Sequence, residues 1–272
     1  MELLSRAEAG LAAPLFAGLE HHLALQAVLA GRLDAPIYLD DLAAPRMAFT
    51  WIQSRAFVGG AEPGEGAAAR LRALLEDQVW PALAAADEDV LVFHEGAALW
   101  DGILAEALAP YGAERYPRLY FALRDLVPEE VSLPPGFDLR LVDANLLADE
   151  TLRGRHVLIE EMLSERPSVE AFLRESFGVC PVRDRAVAGW CLSEYNTADR
   201  CEVGIAVAEE HRRQGVATAI TAAFVAMARE RGIREVGWHC WAGNVASAAT
   251  ARKAGFTLER EYAVYVAYLR QR

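Results

Sequence analysis

The stretch "HRRQGVATAITAAFVAMARERG", residues 211–232, sets two arginines and a lone glycine in front of an apolar-periodic segment. Val216, Ile220, Phe224 and Met227 fall on one face at i, i+4, i+8 and i+11, which predicts a helix beginning near Val216. Gly232 stands where a left-handed cap would close that helix, and Arg229 and Arg231 suit the negative end of its dipole. The loop before it is then Arg212-Arg213-Gln214-Gly215. A helix start exposes unpaired backbone N–H groups and partial positive charge, so it favours anions. Gly215 lets the backbone approach a ligand with no Cβ in the way, Ala217 is small, and the arginines add full charge. Two readings stand at this point: a phosphate-holding loop, or an ordinary strand-to-helix turn that tolerates glycine. The pattern is not a Walker loop, since no Gly-Lys-Ser/Thr closes a longer glycine-rich run, and it is not GxGxxG.

Little else in the chain has the spacing of a reactive site. Cys180, Cys191, Cys201 and Cys240 form no CxxC pair and no metal-type spacing with histidine, and they sit in apolar stretches as small buried hydrophobes do. No metal is expected. His94 beside Glu95 reads as a strand-end pair rather than a site.

The elements that must position the loop follow from punctuation. "DLVPEEVSLPPGFDLR" carries three prolines, a glycine and several acids, and marks a boundary near Pro134 to Gly136. Two domains are expected, residues 1–134 and 135–272. In the first, residues 11–30 suit a helix ended by Gly31, "IYLDD" and "MAFTWIQSRAFVGG" read as strands, and "GAAARLRALLEDQVWPALAAA" is helical up to an interruption at Pro81. "DVLVFHEG" and "RLYFALR" are further strands. In the second, "FDLRLVD" alternates as a strand, residues 144–177 are helical, and "GVCPVRDRAVAGWCLSEYN" is a hairpin turning at Asp184–Arg185. "CEVGIAV" leads into the loop. After the long helix come a strand "REVGWHCW", a short helix "NVASAATARKAG" and a closing strand pair "FTLEREYAVYVAYL".

The formal net charge of -12 is uneven: residues 1–135 hold 20 Asp/Glu against 9 Arg, and residues 136–272 hold 19 Asp/Glu against 18 Lys/Arg. Phosphate binding by a surface needs positive excess, so nucleic acid and anionic membrane are not expected partners. No apolar run reaches the ~18 residues of a membrane span, and "MELLSRAEAG" lacks a signal-peptide pattern, so a cytoplasmic location is expected. An acidic surface either aids solubility or attracts a cationic ligand.

"IAVAEEHRRQGVAT" resembles the acetyl-CoA signature [R/Q]xxGx[G/A] of the GNAT superfamily (GCN5-related N-acetyltransferases), here Arg212, Gly215 and Ala217. Some thirty residues on, "NVASAATARKAGF" resembles the superfamily's second signature. "GWCLSEYN", "CEVGIAV" and "GWHCWAGNVAS" look like the branch that includes zwittermicin-resistance acetyltransferases. The resemblance covers about residues 137–272. It implies an α+β (α/β sandwich) fold with a mixed, mostly antiparallel sheet flanked by helices, preceded by a smaller α+β domain. That first domain either sets acceptor specificity or is a degenerate copy of the same fold.

The resemblance further implies acetyl-CoA as co-substrate. Its pyrophosphate would lie on the amides of Arg212, Arg213, Gln214, Gly215, Val216, Ala217 and Thr218, and its pantetheine arm along the backbone of Ile205, Ala206 and Val207. Asn244 matches the asparagine of the second signature, with helix N-capping as its other reading, and Ser247 lies one turn on. A lysine-like amine must lose a proton before it attacks, at ~4–5 kcal/mol near pH 7, whereas a thiolate leaving group is only ~2 kcal/mol short of protonation. A base therefore matters more than an acid. Glu202, on the strand leading to the loop and flanked by Cys201 and Val203, is the expected base; His239 and Glu194 are the other candidates. Many relatives carry a tyrosine seven residues after the asparagine, where this chain has Ala251, so Tyr262 is the expected substitute acid, with Tyr265 or water as alternatives. The acceptor expected is a small-molecule primary amine, compatible with a cationic one. A non-catalytic acyl-CoA module and a protein N-terminal acetyltransferase are the alternatives, and oligomeric state is left open.

Overall fold

A computed structural model of the chain describes residues 1–127 and 132–269. Residues 128–131, within the proline-rich stretch above, lie outside the described residues. The chain forms two compact units, Met1–Arg118 with Tyr262–Arg272, and Leu119–Glu261.

The first unit contains β1 (Glu2–Leu3), α1 (Leu23–Leu29), β2 (Ile37–Leu39), β3 (Ala48–Ile52), β4 (Arg55–Gly59), α2 (Ala67–Leu74), α3 (Trp80–Ala85), β5 (Val90–Glu95) and α4 (Trp100–Leu108). Strands β1 to β4 pair antiparallel in order, and β4 pairs parallel with β5. Phe49, Val58, Phe93, Leu71, Trp100 and Leu104 are fully buried in its core. Three local expectations are corrected here. The helix expected over 11–30 is a 3-10 helix, Arg6–Phe16, and then α1. Pro14 breaks α-helical bonding, and Gly18 turns the chain at φ 90, where a Cβ would lie 2.2 Å from the Gly96 carbonyl oxygen. "MAFTWIQSRAFVGG" is two strands, because Gln53 at φ 50 reverses the chain between β3 and β4. The helix through Leu74 is not interrupted at Pro81: a π turn, Leu75–Val79, precedes α3, and Pro81 falls in the first turn of α3, where a missing N–H costs nothing.

β6 (Glu114–Leu123) begins in the first unit and ends in the second. The second unit continues with β7 (Asp138–Leu141), α5 (Ala144–Ala148), α6 (Arg155–Glu165), α7 (Val169–Glu175), β8 (Gly178–Arg183), β9 (Ala186–Val187), β10 (Gly189–Asn196), β11 (Arg200–Val207), α8 (Val216–Glu230), β12 (Glu235–Trp241) and α9 (Val245–Lys253). Asp184 and Arg185 take φ 49 and φ 58, the mirror-type turn that joins β8 to β9. β7, β8, β10 and β11 pair antiparallel, and β11 pairs parallel with β12. Alternation assigns the two faces. Val179, Cys191, Cys201, Val203, Val236 and Trp238 pack with Ile220 and Phe224 of α8 and Ala248 of α9. Cys180, Val182 and Leu192 pack with Leu158, Met162 and Phe172 of α6 and α7. All four cysteines are buried and none is in a disulfide, and burial pushes the Cys180 thiol up to about 12.

The last strand, β13 (Thr257–Tyr268), is one unbroken strand and not the expected pair. Its residues Val264–Tyr268 pair antiparallel with β5, and Tyr265 and Ala267 complete the first unit's core. The second unit's core in turn includes Leu119, Phe121 and Leu126. The first unit thus takes core residues from the far end of the chain, whereas the second is one continuous segment. The molecule is mixed α+β, with mostly antiparallel pairing and helices flanking the strands.

Candidate active site

β11 ends at Val207, and the chain reaches α8 through a short 3-10 turn, Glu209–His211, and the loop Arg212–Gly215. The loop is tied back on itself: Arg212 donates from Nε to the Val207 carbonyl at 3.1 Å, and Gln214 donates to the Glu210 carbonyl at 2.9 Å. Arg213 at φ 59 and Gly215 at φ 87 are both left-handed. Gly215 is the residue before the helix, with no side-chain cap, and the first helical bond runs from Ala219 N–H to its carbonyl at 3.1 Å. The N–H groups of Val216, Ala217 and Thr218 precede that bond and have no acceptor inside the helix. A Cβ built on Gly215 meets nothing within 4 Å. Glycine is therefore needed here for its conformation, and the space over the helix start is open. Beside Thr218 and Ala222, one flank of α8 borders a cavity of about 520 Å³ that Arg124, Thr257 and Glu259 also line.

The parallel ladder beside this loop is short. It runs from Arg200↔Glu235 to Glu202↔Gly237, yet β11 continues to Val207 and β12 to Trp241. Beyond Glu202, residues Ile205, Ala206 and Val207 pair with Cys191, Trp190 and Gly189 of β10 on the other side. The two strands part at Glu202, and the backbone of Ile205–Val207 borders the gap.

Glu202 alternates with Cys201 and Val203, so its side chain lies on the sheet face opposite α8 and α9. His239 shares that face. Its Nε2 is 3.6 Å from Glu202 Oε1, and the two side chains are 13% and 9% exposed. Tyr120 of β6 lies against the imidazole, with ring centroids 4.7 Å apart and planes at 31°. Gly237 makes this convergence possible: a Cβ there would stand 3.1 Å from Tyr120 Cε2, 3.3 Å from its hydroxyl and 3.5 Å from Glu202 Cγ. Tyr120 donates to Glu235 at 3.3 Å, and Arg200 and Arg124 both bind the same carboxylate. Burial first, and the Glu235 charge second, push the Tyr120 phenol up to about 12. Glu194 lies over Gly204 on the neighbouring strands, its Oε1 2.4 Å from where a Cβ would be.

The other expected residues divide. Asn244 caps α9, accepting from Ser247 N–H at 3.1 Å, which is its helix-capping reading. Ser247 accepts a bond from the Trp238 indole at 3.0 Å. Ala251 is fully buried in the core, so the position where relatives carry a tyrosine is closed rather than vacant. Tyr262 belongs to the first unit, ring-packed against His21, His22 and His94 with centroids 5.4, 5.5 and 6.1 Å away. Tyr265 also belongs there and donates to Asp101 Oδ1 at 2.8 Å. The tyrosine packed beside Glu202 and His239 is instead Tyr120. No local motif marks it, since the partner that receives its hydrogen bond is 115 residues away in sequence. Among the described residues, no group of three or more His, Cys, Asp or Glu side chains is placed to hold a metal, and no helix is long and apolar enough to cross a membrane.

A loop of open amides at a helix start, beside two parallel strands that part, suits an anionic ligand held by backbone. The family model for GNAT acetyltransferase matches residues 13–265, so the chain belongs to the GNAT acetyltransferase family, a family of acyltransferase enzymes. YdfB, an uncharacterized N-acetyltransferase of Bacillus subtilis (strain 168), is 30% identical over 135 residues. That match covers half of each protein, so the chain spans about half the length of this curated relative. A GCN5-related N-acetyltransferase-like protein from Streptococcus suis 89/1591 has the same fold, with a TM-score of 0.70, 20% identity, and 97% and 100% of the two chains covered. A GCN5-related N-acetyltransferase from Sphaerobacter thermophilus gives 0.67 at 17% identity over 99% and 95%.

Proposed function

We propose that the protein transfers an acetyl group from acetyl-CoA directly to the primary amine of a small molecule, within a ternary complex. The observation that carries this reading is the parting of β11 and β12 beyond Glu202↔Gly237, directly before the open helix start at Gly215. Acetyl-CoA is the donor typical of the family, and the residues present suit it. The amides of Arg212 to Thr218 meet the pyrophosphate, where backbone donors, the helix dipole and two exposed arginines favour negative charge. The backbone of Ile205, Ala206 and Val207 holds the pantetheine arm in the gap, which explains why their side chains are chemically bland. Asn244 and Ser247, at the start of α9, complete the cofactor contacts.

Glu202 acts as the base. It sits on the face opposite α8 and α9 at the mouth of the gap, where an ammonium acceptor would deliver its proton. Tyr120, held protonated, orients and encloses the pair rather than supplying a proton. Protonation of the leaving thiolate is the smaller demand and is met by the proton the nitrogen sheds. The acidic surplus of residues 1–135 supports a cationic acceptor, with the first half of the chain contributing its specificity.

Calorimetric titration of acetyl-CoA into the wild type and Gly215→Glu tests the cofactor site. Binding that the variant weakens at least a hundredfold is expected; equal binding by both would sink the loop assignment. Glu202→Gln should lower kcat by about 10²–10⁴ while acetyl-CoA affinity stays, as loss of a general base requires. For the acceptor, turnover of a cationic amine should fall as salt rises, and a salt-independent rate would remove the electrostatic part of the proposal.

A further inference from the structure

The Glu202 carboxylate has a partner that base catalysis by Glu202 alone does not need. His239 Nε2 stands 3.6 Å from Glu202 Oε1, both side chains are largely buried, and the Tyr120 ring lies along the imidazole at 4.7 Å. Gly237, opposite Glu202 in the ladder, removes the Cβ that would separate Tyr120 from Glu202. Three residues from β6, β11 and β12 thus converge over one glycine.

We propose that His239 is a positioning residue that draws the acceptor's proton off Glu202, so that the base of this enzyme is the carboxylate–imidazole pair. This deepens the acetyl-transfer reading and rests on it. An imidazole binds a proton about two pH units more tightly than a carboxylate does, close to a hundredfold in equilibrium. Deprotonating an ammonium group is uphill to either, and less so to the pair. In the step itself, an N–H bond of the ammonium breaks and its electron pair stays on nitrogen. The proton goes to Glu202 and then to His239 Nε2. The nitrogen attacks the acetyl carbon, the C–S bond breaks with its electron pair on sulfur, and the second proton leaving nitrogen neutralises the thiolate. One net proton remains on the pair and passes to solvent.

The ionisable groups facing the pair are Tyr120 from β6, with Glu235 and Arg200 behind its phenol, and Glu194 across Gly204 from β10. Tyr120 does not compete for the proton, because its phenol stays protonated up to about 12. Its contribution is the ring that fixes the imidazole plane.

The test measures CoA release against pH for the full-length wild type, His239→Gln, His239→Ala and Tyr120→Leu. Ethanolamine, cadaverine, lysine and glucosamine serve as acceptors, and each variant is titrated with acetyl-CoA. Expected for His239→Gln are unchanged acetyl-CoA affinity, kcat down about a hundredfold, and an acidic limb of kcat/KM moved to lower pH, since a bare carboxylate remains. Added imidazole should restore His239→Ala by at least tenfold. A kcat within threefold of wild type, or a loss with an unmoved limb and no rescue, overturns the inference and leaves Glu202 as sole base. Should the His239 variants lose acetyl-CoA affinity, Tyr120→Leu decides: a tenfold fall with a shifted limb supports the pair, and an unshifted limb overturns it. Acetyl-CoA binding by the wild type without CoA release for any of the four amines overturns the acetyl-transfer reading itself.

Discussion

The passage from β4 through Gly66 into α2 and the passage from β11 through Gly215 into α8 follow one plan. In each, a strand feeds a glycine-terminated loop, a helix follows, and the next strand pairs parallel with the first. Gly66 at φ 72 and Gly215 at φ 87 occupy the same place before the helix, neither helix has a side-chain cap, and the first helical bonds match: Arg70 N–H to the Gly66 carbonyl at 2.9 Å, Ala219 N–H to the Gly215 carbonyl at 3.1 Å. Two things differ. The first loop carries Glu62 and Glu65, and its carbonyls are taken by its own helix's arginine: Arg70 donates to Glu65 O at 2.7 Å and to Pro63 O at 2.5 Å. The second carries Arg212 and Arg213 and leaves its amides facing open space. The first ladder also runs to Val58↔Glu95, at the end of β5 and one residue short of the end of β4, whereas the second stops five residues before the end of β11. The glycine turn is thus common to a closed structural turn and a candidate cofactor site. Loop charge and the point where the ladder stops separate them.

That comparison breaks most sharply under paired substitutions. Gly215→Glu and Gly66→Glu impose the same backbone strain, of order 1–3 kcal/mol, at equivalent places. Only the first should abolish acetyl-CoA binding, by at least a hundredfold in calorimetry; a comparable loss from Gly66→Glu would mean that both loops matter. Next in size, Gly237→Ala crowds Tyr120 and Glu202 at contacts of 3.1 to 3.5 Å and should lower kcat about tenfold with acetyl-CoA affinity unchanged. A wild-type rate in that variant would show that convergence over the ladder's last pair is incidental. Smaller again, Arg212→Ala and Arg213→Ala should each weaken acetyl-CoA binding about three- to fivefold at low salt, with the difference shrinking as ionic strength rises. Glu62→Ala and Glu65→Ala should leave it alone.

The smallest effect belongs to the closed ladder's end. Burial, with Asp101 adding to it, raises Glu95 from 4.5 to about 7. A carboxyl with a raised folded-state pKa binds its proton more tightly folded than unfolded. Its contribution to stability is full below about pH 4.5 and is lost as pH rises through about 7. Glu95→Gln keeps the neutral form, so it should gain about 1 kcal/mol over wild type at pH 8, after allowing for solvent screening, and nothing at pH 4.5. Thermal melts at the two pH values check this; an equal gain at both would assign the effect to packing.

Much of the second unit was legible because its signals are local. The apolar face of α8, the Asp184–Arg185 turn, the Gly215 loop and the Asn244 cap each depend on residues within a few positions of one another. The errors arose where local signals compete or give way to tertiary pairing. Gln53 turns a hairpin with no glycine, asparagine or proline to announce it. Pro81 is tolerated because a π turn places it at a helix start. β13 reads as two strands until β5 pairs along its second half. The tyrosine that packs against His239 follows the same rule: no local signal marks Tyr120, which reaches the imidazole because the end of β6 belongs to the second unit, whereas Tyr262 belongs to the first.

The sequence alone determined the makeup of the loop, since two arginines, a glycine and a helix start are written within a dozen consecutive residues. It also determined which strand carries Glu202. Only the tertiary structure decided where β11 and β12 part, which imidazole meets the carboxylate, and which phenol covers it. Those depend on register between strands, and register is set by packing of the whole sheet against its helices rather than by any neighbour in sequence.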